Sequence, residues 1–438
     1  MKKILTICMT AVLSLSLAAC GSSNGGSKSP EGTKAPEATK GAEASAAPKE
    51  MKLKIGLPGG YDVTKKEIID DFIAKFPNIQ TEIVEAPWED FSTKITTEIA
   101  GGTAPDIWFQ ENAIILGYGK RGVAEDLTPY IEKDLKAEDY SSGLYAAKAT
   151  DGKVYGIPHG LNPVALAYNK QIFADAGVPL PTDDWTYDDM IEAAKKLTKP
   201  DQYGFAASYG ITQGWYPWTR SQGGQVLDDT KSKAMFTDPK SIAAVTTWAN
   251  LVKEGTAPNL DFLSAAGGEW KVFGSGKAAM FFMQYSNQVI INKDFGTLDY
   301  DTVMMPKGTD GKRIVPNISN TWMIFSKAKQ DSKEAAWEFL KYYLGVEAQT
   351  QLAESGSSLP VNKAAISALD TNVNPKNKKA FSEGVDQAGA TTDENPVWNE
   401  WRTAAQPIYS DIFNQKLSPE EGMKKIQEKV QAVLDQNN

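Results

Sequence analysis

Residues Gly21 to Glu50 contain no isoleucine, leucine, valine, methionine or aromatic residue. They consist of small, polar and charged residues with several prolines, and such a segment cannot bury enough apolar area to offset the entropy lost on ordering. We expect residues 20–50 to form a disordered tether with a root-mean-square reach of about 30 Å. The folded part of the chain is therefore expected to begin at Met51.

The segment before the tether has the pattern of an export signal. Two lysines precede an apolar run from Ile4 to Ala19, which is shorter than the roughly 20 apolar residues of a membrane span. The four residues that end at Cys20 resemble the bacterial lipobox, which implies cleavage after residue 19 and lipidation of Cys20. An ordinary secretory signal is the alternative. The lipoprotein interpretation is favoured because a lone exported cysteine otherwise has no partner.

Composition excludes several kinds of chemistry. The chain has no cysteine after Cys20 and a single histidine, His159, so disulfides, Cys-based zinc sites and histidine clusters are excluded from the folded body. The net charge is −9 and the four arginines are scattered, so no basic stripe is present for a phosphate backbone. We expect no nucleic acid partner, no cofactor and no metal, while calcium stays open because oxygen-only sites leave little sequence trace.

Strands and helices alternate at the start of the folded body. Apolar patterning predicts strands over 51–57, 79–83 and 105–109, with helical patterns between them. This order favours an α/β lobe built on a largely parallel sheet. The Trp-rich segment Gly214–Trp218 contains too many helix breakers to be a regular element.

Ligands of such sheets bind in loops at the carboxyl ends of the strands. Three loops here fit that description. The first carries Tyr61, the second Trp88, and the third Gln110 and Glu111. Trp88 lies just beyond a strand, and it can be interpreted either as a ligand contact or as a half-buried core residue.

The pairing of aromatic with polar residues suits a carbohydrate site. A sugar ring has apolar C–H faces and a belt of hydroxyl groups, so its site needs flat aromatic rings beside carboxylates and amides. The pairing recurs as Trp88 with Glu89, Trp215 with Gln213, Tyr285 with Gln284 and Asn287, Trp322 with Asn320, and Trp398 with Asn399 and Glu400.

Several short segments, each weak alone, follow one another in a specific order and spacing. They are Gly101–Ile107, Tyr155–Pro158, Ala167–Lys170, Gly223–Asp228, Phe273–Met280 and Leu359–Lys363. Together they resemble the sugar-binding family of extracellular solute-binding proteins of ABC importers, which includes maltose-binding protein. The resemblance covers nearly the whole chain. It implies an α/β, two-lobed periplasmic-binding-protein-like fold of type II, with a ligand cleft between lobes that three chain crossings join.

The resemblance also implies where the chain passes between the lobes. The crossings fall near His159–Pro163, near Met305–Lys307 and around Gly345–Thr350. The amino-terminal lobe would hold residues 51–160 and 308–346, and the carboxyl-terminal lobe residues 161–307 and 347–438.

Carried over to this chain, the family's ligand contacts fall on defined positions. The loop Gln110–Asn112 follows a cleft-facing strand, Asn162 lies at the first crossing, and His159 beside it is expected to be a neutral hydrogen-bonding group. With the aromatic and polar pairs added, the expected ligand-binding residues are Tyr61, Trp88, Gln110, Glu111, His159, Asn162, Trp215, Tyr285, Asn320, Trp322 and Trp398.

The function that the resemblance implies is binding for transport, with no catalytic residues. A monomeric, lipid-anchored protein on the outer face of a Gram-positive cell membrane would close its lobes around a sugar, in particular an oligosaccharide, and deliver it to an ABC transporter permease. The alternative is a secreted glycosidase that uses two carboxylates, which the many Asp and Glu residues leave open.

Overall fold

The computed structural model describes residues 49–59, 65–390 and 393–437, except for the side chains of residues 88, 89, 318, 388–390 and 437. The predicted signal peptide, the lipidated Cys20, the tether up to residue 48 and Tyr61 lie outside the described residues. In the part of the chain that is described, no helix is both long and apolar enough to cross a membrane.

Helices and strands alternate along most of the described chain. The strands are β1 (Met51–Pro58), β2 (Ile79–Ala86), β3 (Ile107–Glu111), β4 (Ile157–Pro158), β5 (Asn162–Asn169), β6 (Met280–Gln284), β7 (Tyr300–Val303), β8 (Val315–Ile318), β9 (Asn320–Ile324) and β10 (Gly389–Ala390). The α-helices are α1 (Lys66–Lys75), α2 (Trp88–Gly101), α3 (Asn112–Lys120), α4 (Thr128–Asp134), α5 (Lys170–Ala176), α6 (Tyr187–Leu197), α7 (Tyr216–Ser221), α8 (Pro239–Lys253), α9 (Leu260–Ala266), α10 (Glu269–Gly274), α11 (Asn287–Asp294), α12 (Gln330–Tyr343), α13 (Val346–Ser355), α14 (Lys379–Ala388), α15 (Trp398–Phe413) and α16 (Pro419–Asn437). The mixed α/β class predicted from the sequence is confirmed.

The first sheet has the strand order β2-β1-β3-β9-β4. β1 pairs in parallel with β2 and β3, whereas β9 runs antiparallel to both β3 and β4. The alternating apolar residues of β1, such as Leu53 and Ile55, are buried under helices. Phe72 of α1 and Phe339 of α12 meet edge to face there, with ring centroids 5.1 Å apart. Because β1 to β3 are parallel, their carboxyl ends share one edge of the sheet.

The second sheet has the order β10-β8-β5-β6, and β7 also pairs with β5. β5 runs antiparallel to β6, β7 and β8, and seven of its eight residues are buried, as expected of a central strand covered on both faces. Trp218 and Trp248 pack together beside Phe282 of β6. These rings form the core of the second lobe.

Two strand junctions connect the sheets. The chain leaves the first sheet at Pro158 and enters the second at Asn162; it returns between Ile318 and Asn320, where Ser319 alone separates β8 from β9. The second crossing therefore lies beyond the position near 305–307 that the resemblance implied, because β8 pairs with β5 and belongs to the second sheet.

A third segment lies beside these junctions. Leu161 and Leu359 exchange two backbone hydrogen bonds of 2.9 and 2.8 Å. Gly160 packs so closely on Ser358 that an added Cβ would lie 2.5 Å from the serine Cβ. This contact lies C-terminal to the 345–350 region expected for the third crossing.

The prediction that Gly214–Trp218 is irregular is wrong. Residues Ile211–Trp215 form a π-helical turn whose backbone is non-helical at Gly214, and α7 follows immediately. Pro217 is tolerated because it lies in the first turn of α7, where a missing backbone N–H costs no helical hydrogen bond.

Candidate ligand cleft

The first wall of the cleft is the junction of β3 and α3, at the carboxyl edge of the first sheet. β3 ends at Glu111 and α3 begins at Asn112 with no intervening loop. Gln110 is buried, donates from Nε2 to Ser92 Oγ at 2.6 Å and accepts at Oε1 from Trp108 Nε1 at 3.4 Å. The side chain of Glu111 remains about one third exposed. The strand end thus presents a carboxylate beside a fixed amide.

The opposite wall is the first turn of α15. The Arg402 guanidinium lies over the Trp398 ring, 4.2 Å from its centroid. Arg402 Nη2 donates to Glu111 Oε2 at 3.3 Å and to Asn399 Oδ1 at 2.9 Å. An ion pair therefore joins α15 to the end of β3, with an aromatic ring directly behind it.

A second side-chain contact joins the same two walls. Asn112 Nδ2 donates to Glu394 Oε2, and its Oδ1 accepts from Thr321 Oγ1 at 3.3 Å. Burial raises the pKa of Glu394 to about 7, against the opposing effect of the hydrogen bond from Asn112. A buried carboxylate that titrates near neutrality therefore lies where the lobes meet.

The predicted residues at the first crossing lie at the strand junctions. Asn162 Nδ2 donates to Ser286 Oγ at 3.1 Å, and Asn162 Oδ1 accepts from the Ser286 backbone at 2.9 Å. The backbone carbonyl of Asn320 accepts from the His159 N–H at 2.7 Å. These contacts fix the path of the chain between the sheets.

His159 is packed among aromatic rings. Its ring centroid is 4.7 Å from that of Phe109 and 5.5 Å from that of Tyr343. Burial lowers the pKa of His159 to about 4, so the imidazole is neutral at physiological pH. A neutral, buried ring suits a packing role rather than that of a general base.

Three of the predicted aromatic contacts are fully buried in this structure: Trp215, Tyr285 and Trp322. Trp215 stacks on Tyr409, with centroids 4.3 Å apart and ring planes at 15°. Trp322 packs edge to face on Phe109 and Phe339. Each is covered by neighbouring side chains in this structure, and we propose that the three belong to the cores of the lobes. Trp398 is also buried, and the Arg402 guanidinium covers its ring.

The structure therefore gathers only part of the predicted set at the cleft. Glu111 and Trp398 come together there beside Gln110, while His159, Asn162 and Asn320 lie at the strand junctions. Tyr61 and the side chain of Trp88 lie outside the described residues. Among described residues, no group of three or more His, Cys, Asp and Glu side chains is arranged to hold a metal ion.

A groove also lies away from the cleft, on the first sheet. It has a volume of about 850 Å³ and follows the amino-terminal halves of β1 and β2, with Asp106 and Ser332 on its other side. This is the opposite edge of the first sheet from Glu111. This groove therefore lies away from the side chains that join the lobes.

The chain matches a known protein family over most of its length. Residues 67–382 match the family described as bacterial extracellular solute-binding protein. The chain belongs to this family.

Relatives with known names include binding proteins for sugars. The chain is 28% identical over 358 residues to the diacetylchitobiose binding protein of Streptomyces coelicolor, with 78% of each chain covered. An ABC substrate-binding protein of Listeria monocytogenes, solved in complex with cycloalternan, superimposes with a TM-score of 0.76 at 24% identity, covering 88% of this chain and 99% of that one. The sugar-binding protein MalE of Xanthomonas citri gives a TM-score of 0.77 at 18% identity, covering 88% and 98%. These likenesses confirm the two-lobed fold.

Three residues of the cleft were left out of the predicted set: Asn112, Glu394 and Arg402. Asn112 belongs to the loop Gln110–Asn112 that the resemblance implied, but not to the list of expected ligand-binding residues. Arg402 is one of four arginines and lies four residues after Trp398, which places the two on one face of a helix. Glu394 carries no such signal, because it precedes α15 in an irregular segment and its partner is 282 residues away.

Proposed function

We propose that this protein binds a carbohydrate, in particular an oligosaccharide, between its two lobes. The observation that carries the proposal is the pair of side-chain contacts across the cleft, Arg402 to Glu111 and Asn112 to Glu394. They bring carboxylate, amide and guanidinium groups together beside Trp398, and this is the chemistry that a polyhydroxylated ring requires. The names of the relatives support the same ligand class.

Binding works by closure of the lobes. A sugar held between the walls contacts Glu111 from one lobe and the α15 turn from the other, so it gains more contacts when the cleft is closed. The strand junctions around Ser319 carry the change in backbone angles that closure needs. The ligand thus shifts the population towards the closed form by its difference in affinity for the two forms.

The protein delivers its ligand to an ABC transporter permease and catalyses no reaction. It is held at the outer face of the cell membrane through a lipid on Cys20, as the lipobox-like sequence before the tether indicates. The permease recognises surfaces on both lobes, because only then does it distinguish the closed, loaded form from the open form.

A thermal-shift screen against mono- and oligosaccharides of the gluco- and chito- series tests the ligand class. A ligand that binds only the folded state stabilises it by about 2.7 kcal/mol at a hundredfold excess over Kd, so a clear rise in Tm is expected. Isothermal titration calorimetry then compares wild type with Glu111→Ala, which is expected to bind the hit more weakly. Glu428→Ala, on the exposed side of α16, is the matched control. A panel that raises no Tm would contradict the proposal.

Glycoside hydrolysis is a second candidate, and one observation favours it. The cleft contains two carboxylates in different surroundings: Glu111 is paired with a guanidinium, whereas burial raises the pKa of Glu394 to about 7. Glycosidases separate the roles of acid and base in this way. Incubation of the hit with the protein and chromatography of the products distinguishes the candidates, since binding for transport leaves the sugar intact.

A further inference from the structure

A separate pocket opens in the second lobe, between α9, the start of α10, the middle of α15 and the segment 208–210. Its volume is about 320 Å³. Ser208, Ser264, Glu269 and Gln406 contribute its polar groups, and Leu260 and Leu263 give it an apolar wall. Polar groups that converge beside a small apolar surface are the usual composition of a small-molecule site.

The carboxylate of Glu269 is the chemical feature of this pocket. The residue is half-buried, and no cation or side-chain donor of the described chain is bonded to its carboxylate. Desolvation raises the pKa of Glu269 above its usual range, with only its own backbone N–H acting against this. A carboxylate that loses water contacts and keeps only its own backbone N–H as a partner can still accept hydrogen bonds from a ligand.

The neighbouring polar groups are already oriented. Gln406 Nε2 donates to the Tyr209 carbonyl at 2.9 Å, which leaves the amide oxygen of Gln406 as a second acceptor. Ser208 Oγ accepts from the Gly210 N–H at 3.0 Å, so its hydroxyl proton is left to donate. The pocket therefore offers an excess of acceptors, which suits a ligand group rich in hydroxyl donors.

The pocket lies on the same side of α15 as the cleft. Trp398, Arg402 and Gln406 follow at intervals of four residues and share one face of the helix. Arg402 reaches from this face to Glu111 in the other lobe. Gln406 lies one turn farther from Trp398, about 6 Å along the helix axis from Arg402. A ligand chain that begins at Trp398 and follows this face therefore arrives at the pocket.

We propose that this pocket is an end subsite of the cleft, which holds a terminal hydroxyl-bearing ring of an oligosaccharide through hydrogen bonds to Glu269. The ring's hydroxyls donate to the Glu269 carboxylate and to the Gln406 amide oxygen, and its C–H face lies against Leu260 and Leu263. The inference rests on the proposed function, and it adds a length requirement: only a chain of several rings reaches from Trp398 to Glu269.

The test is a calorimetric length series with the full chain. The probes are glucose to maltotetraose and N-acetylglucosamine to its tetramer, measured on wild type, Glu269→Ala, Glu269→Gln and the exposed control Glu428→Gln. Glu269→Ala is expected to weaken binding about tenfold for chains long enough to reach the pocket, as expected for a hydrogen bond to a charged group. Shorter chains should bind all variants alike. Glu269→Gln keeps one acceptor oxygen, so its affinity for the longer chains should fall less than that of Glu269→Ala.

Two results would overturn the subsite. In one, both Glu269 variants bind chains of every length as wild type does. In the other, their affinity falls by the same factor at every chain length, as expected if Glu269 has only a structural role. Circular dichroism and Tm show whether Glu269→Ala folds, and the isosteric Glu269→Gln keeps the test decisive if it does not. A wild-type protein that binds no member of either series contradicts the proposed function itself, which is a different outcome from wild-type binding without dependence on Glu269.

Discussion

The guanidinium of Arg402 both covers the ring of Trp398, at 4.2 Å from its centroid, and reaches Glu111 in the opposite lobe at 3.3 Å. The residue that joins the lobes is thus also the one that shields the aromatic surface of the cleft. A sugar that stacks on Trp398 has to displace Arg402 from the ring. Opening of the ion pair and access to the ring are therefore coupled.

The Arg402–Glu111 pair should contribute modestly to stability. Each side chain is about one third exposed, so we expect a coupling energy of about 0.2–1 kcal/mol from a double-mutant cycle of Arg402→Ala and Glu111→Gln in urea unfolding. Small-angle scattering of the ligand-free variants should show a larger radius of gyration than wild type. The Glu192 and Lys196 pair within α6 is the control, because its loss cannot change the lobe arrangement. If the effects of Arg402→Ala and Glu111→Gln on the free energy of unfolding are strictly additive, the ion pair contributes nothing to stability.

Stability should depend on pH through Glu394. The folded state holds its proton up to a pKa of about 7, whereas the unfolded chain releases it near 4.5, so the folded state binds more protons between these values. The free energy of unfolding should therefore fall as pH rises from 4.5 to 7, by on the order of 3 kcal/mol in total. Asn112 and the charges of Glu111, Arg402 and Lys231 surround this group.

The difference between wild type and Glu394→Gln in urea unfolding, measured across this pH range, isolates the effect. Gln cannot ionise, so the variant should lack this part of the slope. Glu428→Gln should retain it, since Glu428 is exposed on α16. If wild type and Glu394→Gln have parallel pH profiles, the assignment of the slope to Glu394 is wrong.

Trp215→Ala should destabilise the second lobe strongly. Its indole is fully buried and stacked on Tyr409, and removal of such a side chain costs about 3–5 kcal/mol. Trp185→Ala, at a half-buried position before α6, should cost less. Urea unfolding measures both. Equal, small losses would return Trp215 to the list of ligand contacts rather than core residues.

Asn162 should matter for the strand junction. Asn162→Ala removes the acceptor of the Ser286 backbone N–H and the donor to its hydroxyl, and at this partly buried position we expect a loss of stability of about 1 kcal/mol. Asn162→Asp keeps the acceptor, and the Ser286 hydroxyl can donate to the new carboxylate. This variant should therefore lose less stability than Asn162→Ala. Thermal unfolding of the two variants checks the order; the reverse order would contradict it.

Cys20→Ser should release the protein from the membrane. If Cys20 carries the lipid, labelling with a palmitate analogue in the producing cell should mark wild type and not the variant, and the variant should appear in the medium. Cys8→Ser lies within the predicted signal peptide and is the matched control, with labelling expected to be unchanged. Palmitate labelling of the Cys20→Ser variant would contradict lipidation at Cys20.

The parts of the fold that were predictable are those with a local signal. The alternation in β1 and the apolar face of α1 both appear within a few residues of sequence, because each pattern repeats with the period of its own element. β8 was placed in the wrong lobe because a four-residue strand carries little pattern, and its partner in β5 is about 150 residues earlier in the chain.

The cleft was only half predictable for the same reason. Glu111 and Trp398 follow recognisable elements, whereas the role of Glu394 depends on the approach of Asn112 from the other lobe, which no local pattern records. For the aromatic residues, composition and burial point to different roles. A tryptophan beside polar residues has the composition of a sugar site, but Trp215 and Trp322 are large enough that burial in the core is their main contribution.

The single residue between β8 and β9 has a mechanical consequence. Asn320, directly after Ser319, pairs in register with Glu111 on β3, so the cleft carboxylate lies close to the pivot of the proposed closure. Points near a pivot travel little, and those at the far rims of the lobes travel most. In the proposed closure, a rotation too small to disturb the hydrogen bonds around Glu111 would thus move the rims of the lobes by a larger distance than the cleft.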